Sequence, residues 1–267
     1  MKRILITGAG SYIGTCFEEY IKTHYSEKYS VTVLDMLDGS WREEDFSAYD
    51  SIFHVAGIAH QKETAQNAAL YYKVNCDLAI EVATKAKKEG VSQFVFLSSM
   101  SVYGMETGVI TRSTQPNPKT NYGKSKWLAE QGITALRDVN FRVAVIRPPM
   151  VYGEGCKGNY NALVLLAKKL PFCPTYRNER SLIDVGNLCR FVAWCVENDA
   201  DGLFRIQNKE FNCTSDMIYE LGVSMGRKWK RCGILNWPIA FLARFTKVGQ
   251  KAFGNLVYTE LEDYEKI

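Results

Sequence analysis

The sequence predicts an α/β fold, a doubly wound parallel sheet followed by a small C-terminal lobe. Three observations predict it. Apolar, strand-like runs alternate with helical spacing through residues 1–150; the first run ends in a glycine-rich turn that opens a helix; and the alternation stops at Pro148-Pro149.

The elements follow in order. Residues 3–7 (RILIT) are an apolar run halted by Gly8, and residues 12–24 carry helical spacing. Residues 30–34 are β-branched and apolar and end at Asp35, and residues 51–56 are a buried-strand candidate. Residues 70–89 predict one long helix closed by Gly90 as its C-terminal cap. Residues 93–97 predict a strand, 122–137 a helix and 141–146 a strand. Such alternation predicts right-handed βαβ units and a sheet covered on both faces. Beyond Pro149 glycines and polar residues cluster at 152–159, and helical stretches follow at 160–170, 185–197 and 215–225. The expected division is a nucleotide-binding domain over 1–150 and a substrate-binding lobe over 151–267.

Composition narrows the class. A chain of 267 residues buries a sizeable core, and 46% apolar with 23% charged residues excludes a disordered chain or a fibre. No apolar run approaches the length of a transmembrane helix. The N-terminal run breaks at Thr7-Gly8, which reads as a strand and not a signal peptide. The net charge of +4 is far from that of a nucleic-acid binder. The cysteines, Cys16, Cys76, Cys156, Cys173, Cys189, Cys195, Cys213 and Cys232, are scattered, with no CxxC pair or metal spacing. They read as reduced thiols in a cytoplasmic protein, and no metal site is expected.

Two constellations carry chemistry. In Gly8-Ala9-Gly10-Ser11-Tyr12-Ile13-Gly14 the glycines let backbone approach a pyrophosphate, and the helix N-terminus offers N–H groups and a positive dipole end. Asp35, ending the next strand, is placed to accept hydrogen bonds from an adenosine ribose. A carboxylate there repels a 2′-phosphate, which favours NAD over NADP. The alternative is a tight structural turn with a chance acid. The second constellation is Tyr122 and Lys126, i and i+4 on one helix face. An ammonium beside a phenol favours the phenolate, which makes Tyr122 a candidate acid/base near neutral pH. Lys126 is also placed to bond a nicotinamide ribose. Ser98-Ser99 ends the strand over 93–97, at the edge where doubly wound sheets bind ligands. By itself a Tyr-x-x-x-Lys face is commonly structural; the turn and the strand end give it weight.

With these residues in view, nearly the whole chain resembles the extended short-chain dehydrogenase/reductases, in their NAD-dependent epimerase/dehydratase branch. The resemblance implies a Rossmann-type sheet. TGAGSYIG resembles the family's TGxxGxxG turn, and Asp45-Phe46 its adenine-contacting Asp-Leu pair. His54-Val55-Ala56-Gly57 is similar to the HLAA segment bordering the cofactor, and Asn75 stands where the family keeps an asparagine. LSSMSVYG resembles SSxxVYG and puts Ser99 in the catalytic serine/threonine place, with Ser101 beside the substrate. Tyr122 and Lys126 match YxxxK. RPPMVYG, with Pro148 against the cofactor, resembles RPxxVYG. In the lobe, RSLIDVGNL makes Arg180 the implied ligand of a sugar-nucleotide diphosphate, with Asn159 a second. His60, following HVAG, is a candidate acid/base or hydroxyl ligand, or a plain loop histidine.

Three departures stand out. Ser11 replaces the middle glycine, with Gly10 one place early, so a rearranged turn is an open expectation. Met100-Ser101 stands where nucleotide-sugar dehydratases carry Asp-Glu, which argues against dehydration. The chain is also short beside typical members. The resemblance implies an epimerase of a nucleotide-activated, UDP-type sugar working at C4. The alternatives are a reductase of a 4-keto-6-deoxy nucleotide sugar and a non-catalytic dinucleotide sensor. It also implies a homodimer formed by helices of the first domain. Residues 227–231 (RKWKR) and the apolar stretch after them, with Trp237 and Phe241, have two readings: a weakly membrane-associated interfacial segment or a helix covering the lobe core. Pro238 suits a first helical turn.

Overall fold

The computed structural model describes residues 1–59, 61, 63–156 and 159–261, so His60 lies outside the described residues, as does the side chain of Asn159. In chain order the first half contains β1 (Lys2–Thr7), α1 (Tyr12–His24), β2 (Tyr29–Leu34), β3 (Ser51–His54) and α2 (Ala68–Tyr72). A π-helical segment (Lys73–Asp77) then leads into α3 (Leu78–Lys88), β4 (Gln93–Leu97), β5 (Gly108–Ile110), α4 (Asn121–Thr134) and β6 (Arg142–Arg147). The second half contains β7 (Met150–Tyr152), α5 (Asn159–Lys169), β8 (Cys173–Pro174), β9 (Leu182–Asp184), α6 (Val185–Glu197) and β10 (Gly202–Arg205). It ends with α7 (Thr214–Ser224), β11 (Arg231–Cys232), α8 (Asn236–Phe245), α9 (Lys247–Phe253) and β12 (Leu256–Tyr258).

Six parallel strands form the central sheet in the order β10-β6-β4-β3-β1-β2. The direction of winding reverses between β1 and β3, and a crevice opens there at the carboxyl ends of the strands. Both faces are covered, so the strands are continuously apolar. Ile4, Ile6, Phe53, Val95 and Ile146 pack under α1 and α6. Leu5, Ile52, Phe94, Phe96 and Val145 pack under α3 and α4. Each fully buried phenylalanine contributes roughly 1.5–3 kcal/mol relative to an exposed one.

The chain between β2 and β3 contains no α-helix. Two short 3-10 turns, Ser40–Arg42 and Phe46–Ala48, bring Trp41 and Phe46 onto the sheet, where both are buried. These two rings cover the sheet where a crossover helix would otherwise lie.

The division at residue 150 is not a clean cut. β10 pairs with β6 as the edge strand of the central sheet, and α6 covers the same face as α1. The remaining second half packs around Leu163, Cys173, Leu182, Ile218, Ile239 and Phe253. The long helix expected over 70–89 is also interrupted by the π-helical segment. Gly90 closes it as expected, with φ +84°. None of the eight cysteines is in a disulfide.

Candidate active site

The crevice begins at the turn after β1. Gly8 has φ +119°, and a Cβ on it would lie 2.8 Å from the backbone nitrogen of Ala56. Only glycine lets the two strand exits approach this closely. Gly10 takes the second left-handed conformation, φ +72°, with open space around its Cα hydrogens. Ser11 then caps α1, its Oγ accepting the Gly14 N–H at 3.3 Å. The shifted glycine thus leaves the strand–turn–helix geometry intact, and the serine takes the ordinary N-cap role. No protein acceptor meets the N–H groups of Tyr12 and Ile13 among the described residues. The Leu34 carbonyl receives the N–H groups of Gly8 at 2.9 Å and Ala9 at 3.2 Å, which seats the exposed Asp35 carboxylate beside the turn. Close backbone, free helix N–H groups and a neighbouring carboxylate fit a dinucleotide.

The opposite wall is the exit of β3. Val55 and Ala56 donate to the Thr7 carbonyl at 3.1 and 2.8 Å. Beyond them the fully buried Asn75 clamps Ile58 from both sides. Its Oδ1 accepts the Ile58 N–H at 2.8 Å, and its Nδ2 donates to the Ile58 carbonyl at 3.0 Å and to Ser125 Oγ at 3.2 Å. Asn75 sits in the π-helical segment, a departure from regular helix that recurs at functional sites. A Cβ on Gly57 would lie 2.9 Å from Asn75 Oδ1 and 3.5 Å from Lys126 Nζ. HVAG, Asn75 and Lys126 therefore meet at one point.

Helix α4 supplies the rest. Thr120 caps it, accepting the Gly123 N–H at 3.0 Å. The Glu63 carboxylate accepts the N–H groups of Asn121 at 3.0 Å and Tyr122 at 3.1 Å, an anion on the positive end of the helix. At Gly123 a side chain would collide with the Ser101 carbonyl, 2.6 Å from a Cβ, so glycine lets the Met100–Tyr103 turn rest against α4. That contact brings the Ser99 hydroxyl close to the Tyr122 phenol, where it favours the phenolate.

The electrostatics differ from the expectation. Burial raises the Tyr122 pKa above its ordinary value of 10, the Ser99 hydroxyl opposes this and Tyr71 adds to it. Lys126 does not bring the phenol down. Its ammonium donates to the Leu97 carbonyl at 2.8 Å and lies 4.7 Å above the Phe96 ring. Burial lowers its own pKa from 10.5 to about 8, against the pull of Glu130. His54 is also buried and neutral, its pKa lowered to about 3 by burial and by Lys126, with Nδ1 2.7 Å from Thr7 Oγ1.

Behind these groups lies a network the sequence analysis missed. Glu130, one turn beyond Lys126, is paired with Arg147 at 2.5 Å, both side chains 4% exposed, and Ser98 donates to the same carboxylate. Arg147 also donates to the Tyr103 hydroxyl at 2.8 Å. Ser98 is therefore held in the core, while Ser99 faces Tyr122. The signal for Glu130 was its i+4 spacing from Lys126. Nothing local in the sequence marks Glu63.

Other predicted residues are distributed unevenly. Pro148 lies beside Ser99, its carbonyl accepting the Met100 N–H at 2.8 Å, and Ser101 is exposed on the same turn. Asp45 and Phe46 do not join the site. The Asp45 carboxylate caps its own turn through Ser47, and the buried Phe46 ring packs under Lys85, with its N–H on Glu89 at 2.7 Å. Those partners belong to the last turn of α3 and the residue after it, which lead into the start of β4, away from the crevice. Arg180 is committed elsewhere too, donating to the Gly254 carbonyl at 2.8 Å at the end of α9. Burial lowers its pKa, and Glu106 opposes this. Asn159 opens α5. No metal-holding cluster exists among the described residues.

A family model described as "NAD dependent epimerase/dehydratase family" matches residues 4–212. The UDP-glucose 4-epimerase of Vibrio cholerae is 31% identical over 251 residues, covering 85% of this chain and 76% of the relative. The N-acetyl-alpha-D-glucosaminyl-diphospho-ditrans,octacis-undecaprenol 4-epimerase of Escherichia coli O157:H7 is 26% identical over 243 residues, covering 84% and 73%. The UDP-glucuronic acid 4-epimerase of Bacillus cereus, solved with NAD, shares the fold at a TM-score of 0.71 and 17% identity, over 86% of this chain and 85% of that one.

Proposed function

The chain belongs to the NAD-dependent epimerase/dehydratase family of extended short-chain dehydrogenase/reductases, and from that premise we propose that it is an NAD-dependent 4-epimerase of a UDP-type nucleotide sugar. One observation carries the reading. The Tyr122 phenol, close to the Ser99 hydroxyl, lies one helical turn from Lys126 on α4, and the Lys126 ammonium borders Gly57 beside Asn75.

The turn residues Gly8, Gly10, Ser11, Tyr12, Ile13 and Gly14 would hold the diphosphate of NAD, Asp35 its adenosine ribose, and Lys126 its nicotinamide ribose. The exposed Asp35 carboxylate disfavours a 2′-phosphate. A bound NAD supplies a hydride acceptor and donor at the sugar carbon bearing the hydroxyl. The chain's own residues handle the proton. Ser99 holds the hydroxyl oxygen against the Tyr122 oxygen. Tyr122, as phenolate, takes the hydroxyl proton and returns it once the sugar has turned its other face. Burial raises the Tyr122 pKa in the cofactor-free protein, so the phenolate this step starts from would have to be favoured by positive charge in the loaded site, from the Lys126 ammonium and an oxidised nicotinamide ring. Met100 and Ser101 provide no carboxylic acid for dehydration. Val55, Ala56, Gly57, Asn75 and Pro148 shape the walls. Arg180 would have to reach the sugar diphosphate with guanidinium nitrogens other than the one bonded to Gly254. We further propose a homodimer, which light scattering would measure.

The test begins with the purified protein. It is denatured, the released small molecules are separated, and any dinucleotide is identified; UDP-sugars are then offered. NAD retained in equal amount, with 4-epimerisation abolished by Tyr122→Phe, is the expected result. An empty protein that binds NADH or NADPH reversibly and reduces a 4-keto nucleotide sugar would replace the epimerase with a reductase. No dinucleotide retained or bound would overturn both.

A further inference from the structure

Helices α8 and α9 present a surface unlike the rest of the molecule. Trp237, Phe241 and Phe245, at i, i+4 and i+8 of α8, are 79%, 52% and 65% exposed. Their rings form a ladder, with centroids 6.4 and 4.9 Å apart. Ile234 and Val248 extend this apolar strip at its two ends. The opposite side of the hairpin is anchored by Ile239 and Phe253 in the lobe core.

The segment that carries the strip has charge of one sign. Between Glu220 and Glu260 the chain carries seven Lys and Arg residues and no Asp or Glu. Two of the seven serve the fold. Arg227 donates to the carbonyls of Ala167 and Leu170 at the end of α5, and Arg231 pairs with Asp216 at 2.8 Å. Lys228, Lys230, Arg244, Lys247 and Lys251 are exposed and make no ion pair among the described residues.

We propose that this face of α8 and α9 docks on the surface of an anionic lipid bilayer. Interfacial helices combine an exposed aromatic and aliphatic strip with flanking cations that reach the headgroups, and the single charge sign matches an anionic headgroup layer. A tryptophan at the strip suits the boundary between headgroup and acyl chain. A second copy of the same face is a poor occupant, because the pairing would set cations against cations with no acids between them. No described helix is long and apolar enough to cross a membrane, so the contact is peripheral. The inference is independent of the reaction proposed above and survives its failure.

The experiment is vesicle co-sedimentation of the full chain. Vesicles of phosphatidylcholine alone are compared with vesicles that also contain phosphatidylglycerol. Binding is expected on the anionic vesicles, and it should weaken as salt shortens the screening length below about 10 Å. Lys247→Glu, on α9 beside the exposed Val248, is expected to lower binding by about fivefold or more. The double variant Trp237→Ser/Phe241→Ser should lower it at least as far with an unchanged melting midpoint. If that double variant unfolds, the surface lysine variant still decides. Equal binding to both vesicle types, undiminished binding of the lysine variant, or self-association that Trp237→Ser abolishes would each overturn the proposal.

Discussion

Helix α4 buries Ser125, Lys126 and Glu130, while α8 buries Ile239 and leaves Trp237, Phe241 and Phe245 in water. Each reverses the usual division between core and solvent. The two reversals are not alike. Every buried polar group on α4 has a protein partner: Lys126 has the Leu97 carbonyl, Glu130 has Arg147 and Ser98, and Ser125 has Asn75. The rings of the α8 strip are met chiefly by one another. The contrast teaches that an internal site satisfies itself by hydrogen bonds within the chain, whereas a docking face is completed from outside.

Substitution can sharpen or break this contrast, and the largest effect is expected on α4. Tyr122→Phe should reduce turnover by about 10²–10⁴-fold while the fold persists, as followed by steady-state kinetics and circular dichroism. Unchanged turnover would remove the acid/base role of Tyr122. Next, Glu130→Ala leaves Arg147 buried without its carboxylate, and denaturant unfolding should show a loss of about 3–5 kcal/mol.

Lys126 gives a pH signature. Its folded pKa is lowered from 10.5 to about 8. Below about pH 8 both states are protonated, and folding carries the full cost of burying the ammonium. Between pH 8 and 10.5 the unfolded chain holds a proton that the folded chain has lost, so stability rises with pH. Relative to Lys126→Met, the cofactor-free wild type should gain up to about 3 kcal/mol across that window in paired unfolding curves. The smallest effects belong to α8. Ile239→Ala should cost about 2 kcal/mol and Trp237→Ser no more than about 0.5 kcal/mol by thermal unfolding. A large loss at Trp237 would mean that the strip is part of the fold.

These helices also mark where the sequence is readable. The observed bounds of α1 and α6 match the expected ones because Ser11 and Asp184 are N-caps placed before apolar-periodic runs. Strand β4 matches because an unbroken apolar run has no other place in a sheet covered on both faces. Ser99 at the end of β4 and Tyr122 and Lys126 on one face of α4 are local features, readable from spacing alone. What escaped was non-local. Glu63 reaches α4 across 58 residues of sequence. Arg180 stands in a recognisable segment, yet the carbonyl that binds it comes from Gly254, 74 residues on. Phe46 fills a space left by a missing crossover helix, and only the assembled sheet reveals that space.

The π-helical segment Lys73–Asp77 has a consequence for how this molecule tolerates insertion and deletion. Its extra residue is a matter of chain length rather than of side-chain chemistry. Removing any one residue there would restore a regular helix and turn everything on one side of the cut by about 100° about the axis. Asn75 would swing away from Ile58, and the loop after β3 would lose its clamp without any exchange of side-chain type. The placement of this asparagine is therefore encoded in counting, and a substitution scan that tries every amino acid at every position would pass over it.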